Sequence, residues 1–169
     1  MLDAQNRCDE AVHEYEAVLT LNRNFVPAYF HIGVCKLLSG SAEETILLVE
    51  RAIRLSPRDP DLGFWYQAIG RAYLMGGRRT DNAVIWLEKA RGANPQASFV
   101  RAWLASAFAL EGKTERAATE LAEAQRLSSD DRYASISRLK GVIVREPKAR
   151  ALLETTYFAG LRKAGIPEE

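Results

Sequence analysis

Apolar positions recur along this chain with the period of an amphipathic α-helix. In the stretch AVIWLEKARGANP, which begins at Ala83, apolar side chains lie three or four residues apart and therefore share one face of a helix. The same arrangement returns in AATELAEAQRLSS from Ala117, in TILLVERAIRLSP from Thr45 and in AVHEYEAVLTLNR from Ala11. No strand pattern is visible anywhere. The chain is predicted to be all-α and to use one type of helix four times.

The four segments are spaced by a nearly constant interval. Their first positions lie 34, 38 and 34 residues apart, and a large apolar residue follows four positions later in each segment. Glycine and proline mark the turns between helices. These signals predict helices at about 5–21, 26–39, 42–55, 60–75, 80–92, 97–111, 114–127, 131–140 and 147–163.

The longer, 38-residue step predicts two local changes. Three extra residues are expected to lengthen the fourth helix at its start, where Asp59 is the predicted N-cap and Pro60 follows in the first turn. One further residue is expected to enlarge the turn in MGGRRTDN. Gly40, Gly112 and the Gly76-Gly77 pair are predicted to end the first helix of each pair in a left-handed conformation.

An aliphatic residue followed by a small one recurs on the helix before three of these segments, as Ile32-Gly33, Ile69-Gly70 and Leu104-Ala105. With the small residues of the second helix and proline at two of the turns, this pattern resembles the tetratricopeptide repeat, whose period is about 34 residues. The resemblance extends from about Ala11 to Ser129. Departures are Thr45, Arg101 where an aromatic residue is expected, and a first repeat without its first helix.

The resemblance implies a right-handed superhelix of antiparallel helix pairs that is closed by a C-terminal capping helix. Residues 1–169 are then one helical repeat domain, with a partial first repeat at 5–24, repeats at about 26–58, 60–96 and 97–130, and C-terminal helices at 131–163. Because such arrays need a cap with one polar face, the last helix is expected to turn its apolar positions inward. These are Ala151, Leu152, Thr155, Phe158, Ala159 and Leu161.

Two longer stretches resemble a narrower family. SPRDPDLGFWYQAIGRAYLMGG and the ending ETTYFAGLRKAGIPEE are similar to the C-terminal repeat region of bacterial multidomain regulators. In those proteins a class III adenylate or guanylate cyclase or a winged-helix DNA-binding domain often lies upstream. The resemblance implies that this chain is a regulatory fragment or a stand-alone relative, and it transfers no catalytic residue to this chain.

Composition and charge narrow the classes of partner. Of the 169 residues, 47% are hydrophobic and 27% are charged, so the chain can bury a core and stay soluble. The 23 Lys and Arg residues and the 22 Asp and Glu residues leave a net charge of +1. Proteins that bind nucleic acids or anionic membranes usually carry an excess of basic residues. No apolar run approaches the ~18 residues of a membrane span, and no signal peptide is recognisable. We expect a cytoplasmic protein that binds neither nucleic acid nor membrane.

The sequence contains no constellation for catalysis or metal binding. His13 and His31 are the only histidines. Their pairing with Cys8 or Cys35 as base and nucleophile would also require an oxyanion hole, for which no turn is visible. The two cysteines lack CxxC spacing, so neither a zinc site nor a disulfide framework is predicted. The chain is expected to be non-enzymatic, with no metal and no cofactor.

Three other features have a partial likeness to ligand sites. SPRDPDLG lacks the glutamate at the twelfth place of a calcium loop, and GGRR lacks the pattern of a phosphate loop. Both are interpreted as turns between helices. Phe64, Trp65 and Tyr66 are adjacent, so a helix sends them in three directions. One or two are expected in the core, and a remaining one is a candidate partner anchor.

The resemblance implies that the first helix of each pair lines a concave face. Equivalent inner positions form two rows, which are Phe30, Gln67, Ala102 and Ile136, and then Val34, Arg71, Ser106 and Lys140. The rows are apolar at one end, include two cations and contain no carboxylate. They suit an extended or helical peptide with an apolar anchor and an acidic group. The alternative is a solvated groove without a ligand.

The chain is therefore predicted to be a protein-interaction scaffold. The alternative is a regulatory or dimerisation segment of a multidomain nucleotide cyclase or transcription regulator. The first predicted helix has no partner helix from its own pair, so Val12 and Tyr15 are expected to leave an apolar strip for a homodimer contact or an upstream domain.

Overall fold

The computed structural model describes residues 8–77, 79–143 and 147–169, which form helices and turns and no strand. The α-helices are α1 (Cys8–Leu21), α2 (Val26–Leu38), α3 (Ala42–Leu55), α4 (Leu62–Met75), α5 (Thr80–Ala93), α6 (Ser98–Leu110), α7 (Thr114–Leu127), α8 (Ile136–Val142), α9 (Pro147–Leu153) and α10 (Ala159–Lys163). A 3-10 turn (Arg132–Ala134) precedes α8. A π-helical turn (Glu154–Phe158) joins α9 to α10.

The helices pack as successive pairs, as the resemblance implied. α2 contacts α3, α4 contacts α5, and α6 contacts α7, while α2 and α6 each also contact α4. The fold is thus an all-α superhelix in which the first helices of the pairs form an inner wall. The predicted boundaries of α2 to α7 agree with these helices to within two residues. Residues 5–7 of the first predicted helix lie outside the described residues.

Small residues set the close approach of the helices within a pair. A Cβ atom placed on Gly70 would lie 2.6 Å from Cγ of Leu87, and one on Gly33 would lie 2.9 Å from Cγ2 of Val49. Both distances are shorter than a normal carbon–carbon contact, so these positions leave no room for a side chain. Ala105, the third small residue of the pattern, is fully buried. The predicted packing register is confirmed at both glycines.

A glycine ends the first helix of each pair. Gly40, Gly77 and Gly112 have φ values of 89°, 70° and 76°, in the left-handed region where other residues are strained. Gly76 was predicted with them, but its φ is −69° and it belongs to the right-handed end of α4. The connection between α4 and α5 spans 76–79, one residue longer than the matching turn at 39–41, as predicted.

The predicted lengthening of α4 and its predicted N-cap are wrong. The helix begins at Leu62 and has 14 residues, only one more than α2 or α6, so most of the added length lies in the preceding connection. Asp59 is not its N-cap. The Asp59 carboxylate accepts hydrogen bonds from the Ser56 hydroxyl (3.1 Å) and from the Asp61 N–H (3.0 Å). An aspartate that bonds the backbone two residues later stabilises a turn, which here delays the helix.

The last part of the chain, residues 147–169, is called the C-terminal segment below. It folds back across the inner wall, where α9, the π-helical turn and α10 contact α2, α4 and α6. The tail after α10 reaches the start of α8, because the N–H groups of Ile136 and Ser137 donate to the carbonyls of Pro167 and Glu168. The cap therefore covers part of the concave face.

The predicted inward face of this segment is partly wrong. Phe158 and Leu161 are buried as expected, but Ala151 and Thr155 are exposed, and Leu152 and Ala159 are half-buried. The π-helical turn accounts for the difference, because it shifts the helical register by comparison with a regular α-helix. The side chains that it turns inward are Leu153, Thr156, Tyr157, Phe158 and Leu161.

We predict that Gly70→Ala destabilises the fold by about 1–3 kcal/mol, since the added methyl group overlaps Leu87, which is fully buried and cannot move aside. Gly92→Ala is the matched control, because Gly92 is also helical and its Cβ would meet nothing within 4 Å. That change should be neutral or stabilising by up to about 1 kcal/mol. Urea denaturation of both variants measures the difference, and equal effects would contradict the packing register.

Candidate partner-binding site

The eight predicted inner residues lie on α2, α4, α6 and α8, and the structure divides them into an open group and a covered group. Phe30 and Val34 on α2 are partly exposed and form the open group, whereas Gln67 on α4 is buried, with 8% of its surface exposed. The others lie at the end of the inner wall where the C-terminal segment packs. They are Arg71, Ala102, Ser106, Ile136 and Lys140.

Tyr157 is the centre of the covered end. Its ring stacks on the ring of Trp103, with centroids 3.9 Å apart and planes at 21°. Its backbone carbonyl accepts a hydrogen bond of 2.9 Å from the hydroxyl of Ser106. Burial raises the pKa of Tyr157 well above its ordinary value, so the phenol is neutral. Ser106, predicted as a partner-binding residue, thus binds the chain's own segment.

Gly160 allows the segment to approach α6 closely. A Cβ atom at this position would lie 2.2 Å from the Ser106 hydroxyl oxygen and 2.5 Å from its carbonyl oxygen. The second oxygen belongs to the backbone of a buried helix, which cannot give way. Only glycine fits against α6 here, so the position of the segment depends on the absence of a side chain.

Ion pairs hold the edge of the segment. The Lys140 ammonium lies 2.5 Å from a carboxylate oxygen of Glu154 and 3.8 Å from one of Glu168. Arg162 pairs with the same two carboxylates at 3.3 Å and 2.8 Å. Partial burial raises the pKa of Glu154, but hydrogen bonds from Lys140 and Arg162 outweigh it and leave this pKa below its ordinary value. Lys140, predicted to bind an acidic group, already binds one.

Arg71 is the exception on this wall. Its guanidinium carbon lies 5.0 Å from the centre of the Trp103 ring, a cation–π distance. Part of the side chain reaches the surface, but Nε is buried and has no hydrogen-bond partner. Burial lowers the pKa of Arg71, and the neighbouring Tyr157 raises it. No carboxylate of the described residues forms an ion pair with this guanidinium.

Aromatic side chains occupy the open end of the inner helices. Phe64 is 43% exposed and stacks on Phe99 of α6, with centroids 5.8 Å apart and planes at 13°. Phe30 of α2 is half-buried and contacts Trp65, with centroids 6.2 Å apart. We call Phe30, Phe64 and Phe99 the open aromatic face. Phe64 and Phe99 lie one helical turn before Gln67 and Ala102, and they form a third row beside the two predicted ones.

Of the three adjacent aromatic residues, one or two were expected in the core, and this part of the expectation is confirmed. Trp65 is 4% exposed and belongs to the core. Tyr66 is half-buried and contacts Trp86, with ring centroids 5.7 Å apart. Phe64 is the one left on the surface, where a partner anchor has to lie.

The two cysteines lie together, which their distance in sequence did not indicate. Cys35 of α2 is half-buried, and its thiol is hydrogen-bonded to that of Cys8 in α1. Burial and the contact with Cys8 raise the pKa of Cys35 to about 12, so this thiol is protonated at neutral pH. No group of three or more metal-ligating side chains occurs in the parts of the chain that the structure describes.

The predicted strip on α1 is half covered. Val12 and Tyr15 are both half-buried, and the Tyr15 ring stacks on His31 of α2, with centroids 5.1 Å apart. No side chain among the described residues of α1 is fully buried. This helix therefore has less cover than any of α2 to α7.

Comparisons with known proteins agree with this architecture. Residues 2–60 match the family model described as tetratricopeptide repeat. Comparison with curated protein sequences gave no match. Among the described residues, no helix has both the length and the apolar character needed to span a bilayer.

Several solved structures share the fold. The crystal structure of MamA is 18% identical, with 97% of this chain and 95% of that chain covered at a TM-score of 0.66. TTC0263, a thermophilic TPR protein of Thermus thermophilus, is 18% identical, with 93% and 92% covered at 0.64. YrrB, described as a TPR protein with an unusual peptide-binding site, is 18% identical, with 92% and 78% covered at 0.61. The chain thus has the superhelical fold of tetratricopeptide-repeat proteins.

We predict that Tyr157→Ala destabilises the protein by about 3–5 kcal/mol, since a buried aromatic ring is removed from its stack on Trp103. Ile85→Ala is the control, because Ile85 is 50% exposed on α5, and it should change stability by less than about 0.5 kcal/mol. Urea denaturation followed by circular dichroism gives both values. A Tyr157→Ala midpoint equal to that of the control would mean that the segment does not rest on the inner wall as described.

Proposed function

We propose that this chain is a non-catalytic scaffold that binds a peptide or protein partner on its concave face. The observation that carries the proposal is the open aromatic face. Phe64 is 43% exposed and stacked on Phe99 along the inner helices. The exposure of neighbouring aromatic rings to water is unfavourable, and such an apolar patch commonly marks an interaction surface. A partner with an apolar or aromatic anchor fits this surface.

The fold supports the same class of function. Stacked helix pairs create an extended concave surface, which repeat proteins use for binding. YrrB, which shares the fold, is described as having an unusual peptide-binding site. At 18% identity its site residues do not transfer to this chain. What it supports is the choice of a binding scaffold over an enzyme.

The protonation of the Cys35 thiol also favours a non-catalytic role. A nucleophilic cysteine is a thiolate, with its pKa lowered by a nearby positive charge. Cys35 has the opposite environment, because burial and Cys8 raise its pKa to about 12. We therefore propose no catalytic role for the Cys35 thiol or for His31 beside it on α2.

The proposed partner is a protein segment with an acidic group, and not nucleic acid or a membrane. The chain's net charge is +1, too small for general attraction to polyanions. Arg71 and Lys140 are the cations of the inner rows, and Arg71 has no acidic partner among the described residues. A cytoplasmic location remains a prediction from the sequence.

We predict that Phe64→Ser abolishes capture of the partner by the immobilised full chain. Removing the exposed ring removes the apolar anchor, whereas Ile85→Ser removes a side chain of similar exposure, 50%, from α5 outside the inner wall. Affinity capture from a lysate of the source cell, followed by quantitative mass spectrometry, compares the two variants with the wild type. Proteins retained by the wild type and by Ile85→Ser but lost with Phe64→Ser are the expected result. Equal retention by all three chains would refute the open aromatic face as the site.

A second candidate function is a regulatory or dimerisation segment of a multidomain regulator. The observation that favours it is the partial cover of α1, which has no fully buried side chain among its described residues. We propose that the face carrying Val12 and Tyr15 packs on a second copy of the chain, so that each copy covers the other across a symmetry axis. Resemblance to the repeat regions of bacterial cyclases and winged-helix regulators is the sequence argument for this role.

We predict that the full chain is a dimer in light scattering and that Tyr15→Glu converts it to a monomer, since the new charge would be buried in the contact. Glu16→Lys is the matched control, because Glu16 is an exposed neighbour on α1, and it should leave the molar mass unchanged. A wild-type monomer, or a dimer that Tyr15→Glu does not affect, would contradict this contact.

A further inference from the structure

The C-terminal segment has the chemistry that the inner rows predict for a partner. It is helical, it has apolar anchors in Tyr157 and Phe158, and it has an acidic group in Glu154. Glu154 pairs with Lys140 at 2.5 Å, and Tyr157 stacks on Trp103. The chain therefore shows, with its own residues, how a helix lies across α4 and α6.

The fit of this segment is complete at its apolar contacts. Leu153, Tyr157, Phe158 and Leu161 are each at most 1% exposed. Gly160 lies directly against the Ser106 backbone, with no space for a Cβ atom. A helix that docks in this groove must therefore present an aromatic residue and, three positions later, a residue without a side chain.

The fit is incomplete at Arg71. Its guanidinium contacts the Trp103 ring at 5.0 Å, and its Nε is buried without an acceptor. The C-terminal segment presents the neutral phenol of Tyr157 beside this charge. A buried guanidinium N–H without an acceptor is unfavourable, and an acidic group placed there would accept its hydrogen bond. A helix with an acidic group at this point would therefore make a contact that the C-terminal segment does not make.

We propose that the groove over α4 and α6 is a docking site for a partner helix that carries an aromatic side chain against Trp103 and an acidic group against Arg71, and that the C-terminal segment occupies this site until such a helix displaces it. The proposal rests on the proposed function, because it specifies the partner of the same concave face. The C-terminal segment then acts as a built-in competitor.

Displacement requires a difference in affinity between the two helices. A partner that made only the contacts of the C-terminal segment would not displace it, because the tethered segment has a high effective concentration at the groove. The ion pair with Arg71 supplies the difference, since only the partner makes it. The apparent affinity for the partner is lowered by the small fraction of chains in which the groove is open. The segment thus selects for helices with the acidic group.

The test uses the full chain and two fluorescent synthetic peptides. One peptide has the sequence of residues 147–169, and the other has 4-carboxyphenylalanine in place of Tyr157, which keeps the ring and adds a carboxylate beside Arg71. In the Gly160→Val chain, the new side chain would meet the Ser106 carbonyl oxygen, which already lies 2.5 Å from a Cβ position. Its own segment is thereby displaced, and the groove is open to either peptide.

We predict that the Gly160→Val chain binds the unmodified peptide at least tenfold more tightly than the wild type does. The carboxylate peptide should bind the Gly160→Val chain at least threefold more tightly again, and Arg71→Met in that chain should remove this additional gain. Fluorescence anisotropy gives the dissociation constants of both peptides for the wild type, for the Gly160→Val chain and for the Gly160→Val chain that also carries Arg71→Met. A folded Gly160→Val chain that does not bind the peptides, or a carboxylate gain that Arg71→Met leaves intact, would overturn the proposal.

Hydrogen exchange of the wild-type chain measures the opening of the C-terminal segment directly, so this second test does not depend on whether the Gly160→Val chain folds. Amides of α9 and α10 should exchange at least tenfold faster than those of α4 and α6, through an opening that leaves the pairs folded. Equal protection of all four helices would show that the segment opens only on global unfolding, and the proposal would fail.

The proposed function and this inference fail in different ways. If capture depends on Phe64 but the Gly160→Val chain binds no peptide, the scaffold function stands and the docking site is wrong. If the peptides bind as described but capture does not depend on Phe64, the docking site stands and the open aromatic face is not the partner's anchor.

Discussion

The inner wall of this protein depends on helices that meet at residues without a large side chain. Gly70 faces Leu87 and Gly33 faces Val49 at distances that exclude even a methyl group. Because the two helices of a pair are drawn together at these points, their remaining apolar side chains interlock, and successive pairs stack into one curved array. The curved array in turn supplies the groove in which the C-terminal segment lies. A contact of the same kind, Gly160 against Ser106, fixes that segment.

The periodic part of this architecture could be predicted from the sequence, because it is repeated. Slots such as Ala83 and Ala117 recur in register, so each repeat supports the reading of the others, and the predicted ends of α3 and α7 agree with the structure to the residue. Local features that occur only once in the chain were harder to predict. The turn around Asp59 and the π-helical turn each shift the register once, and neither has a second copy that would reveal it.

The partner-binding role of the inner rows stays a prediction, and their partial cover by the C-terminal segment was not predicted. The inner rows were placed on the right helices, and Phe64 was among the candidate anchors. What no local pattern shows is a contact between residues far apart in sequence, such as Ser106 with Tyr157 or Cys8 with Cys35. Arg71 therefore looked like a free cation in an open groove. The signal that was available is the pair Tyr157-Phe158 followed by Gly160, an unusual run for a capping helix that ought to be polar outside.

Arg71 connects the stability of the fold with its use. A side chain of similar length without a charge, such as methionine, would fill the same space beside Trp103 without leaving a buried N–H that lacks an acceptor. For the folded chain alone, the arginine is therefore less stabilising than methionine would be. The cation–π contact with Trp103 offsets only part of this difference in stability. A residue that weakens the fold and faces a binding groove is the expected signature of a functional position, since binding surfaces keep groups that only the partner satisfies. The same reasoning explains why the C-terminal segment presents a neutral phenol there. A carboxylate in its place would hold the segment in the groove too firmly for any partner to enter.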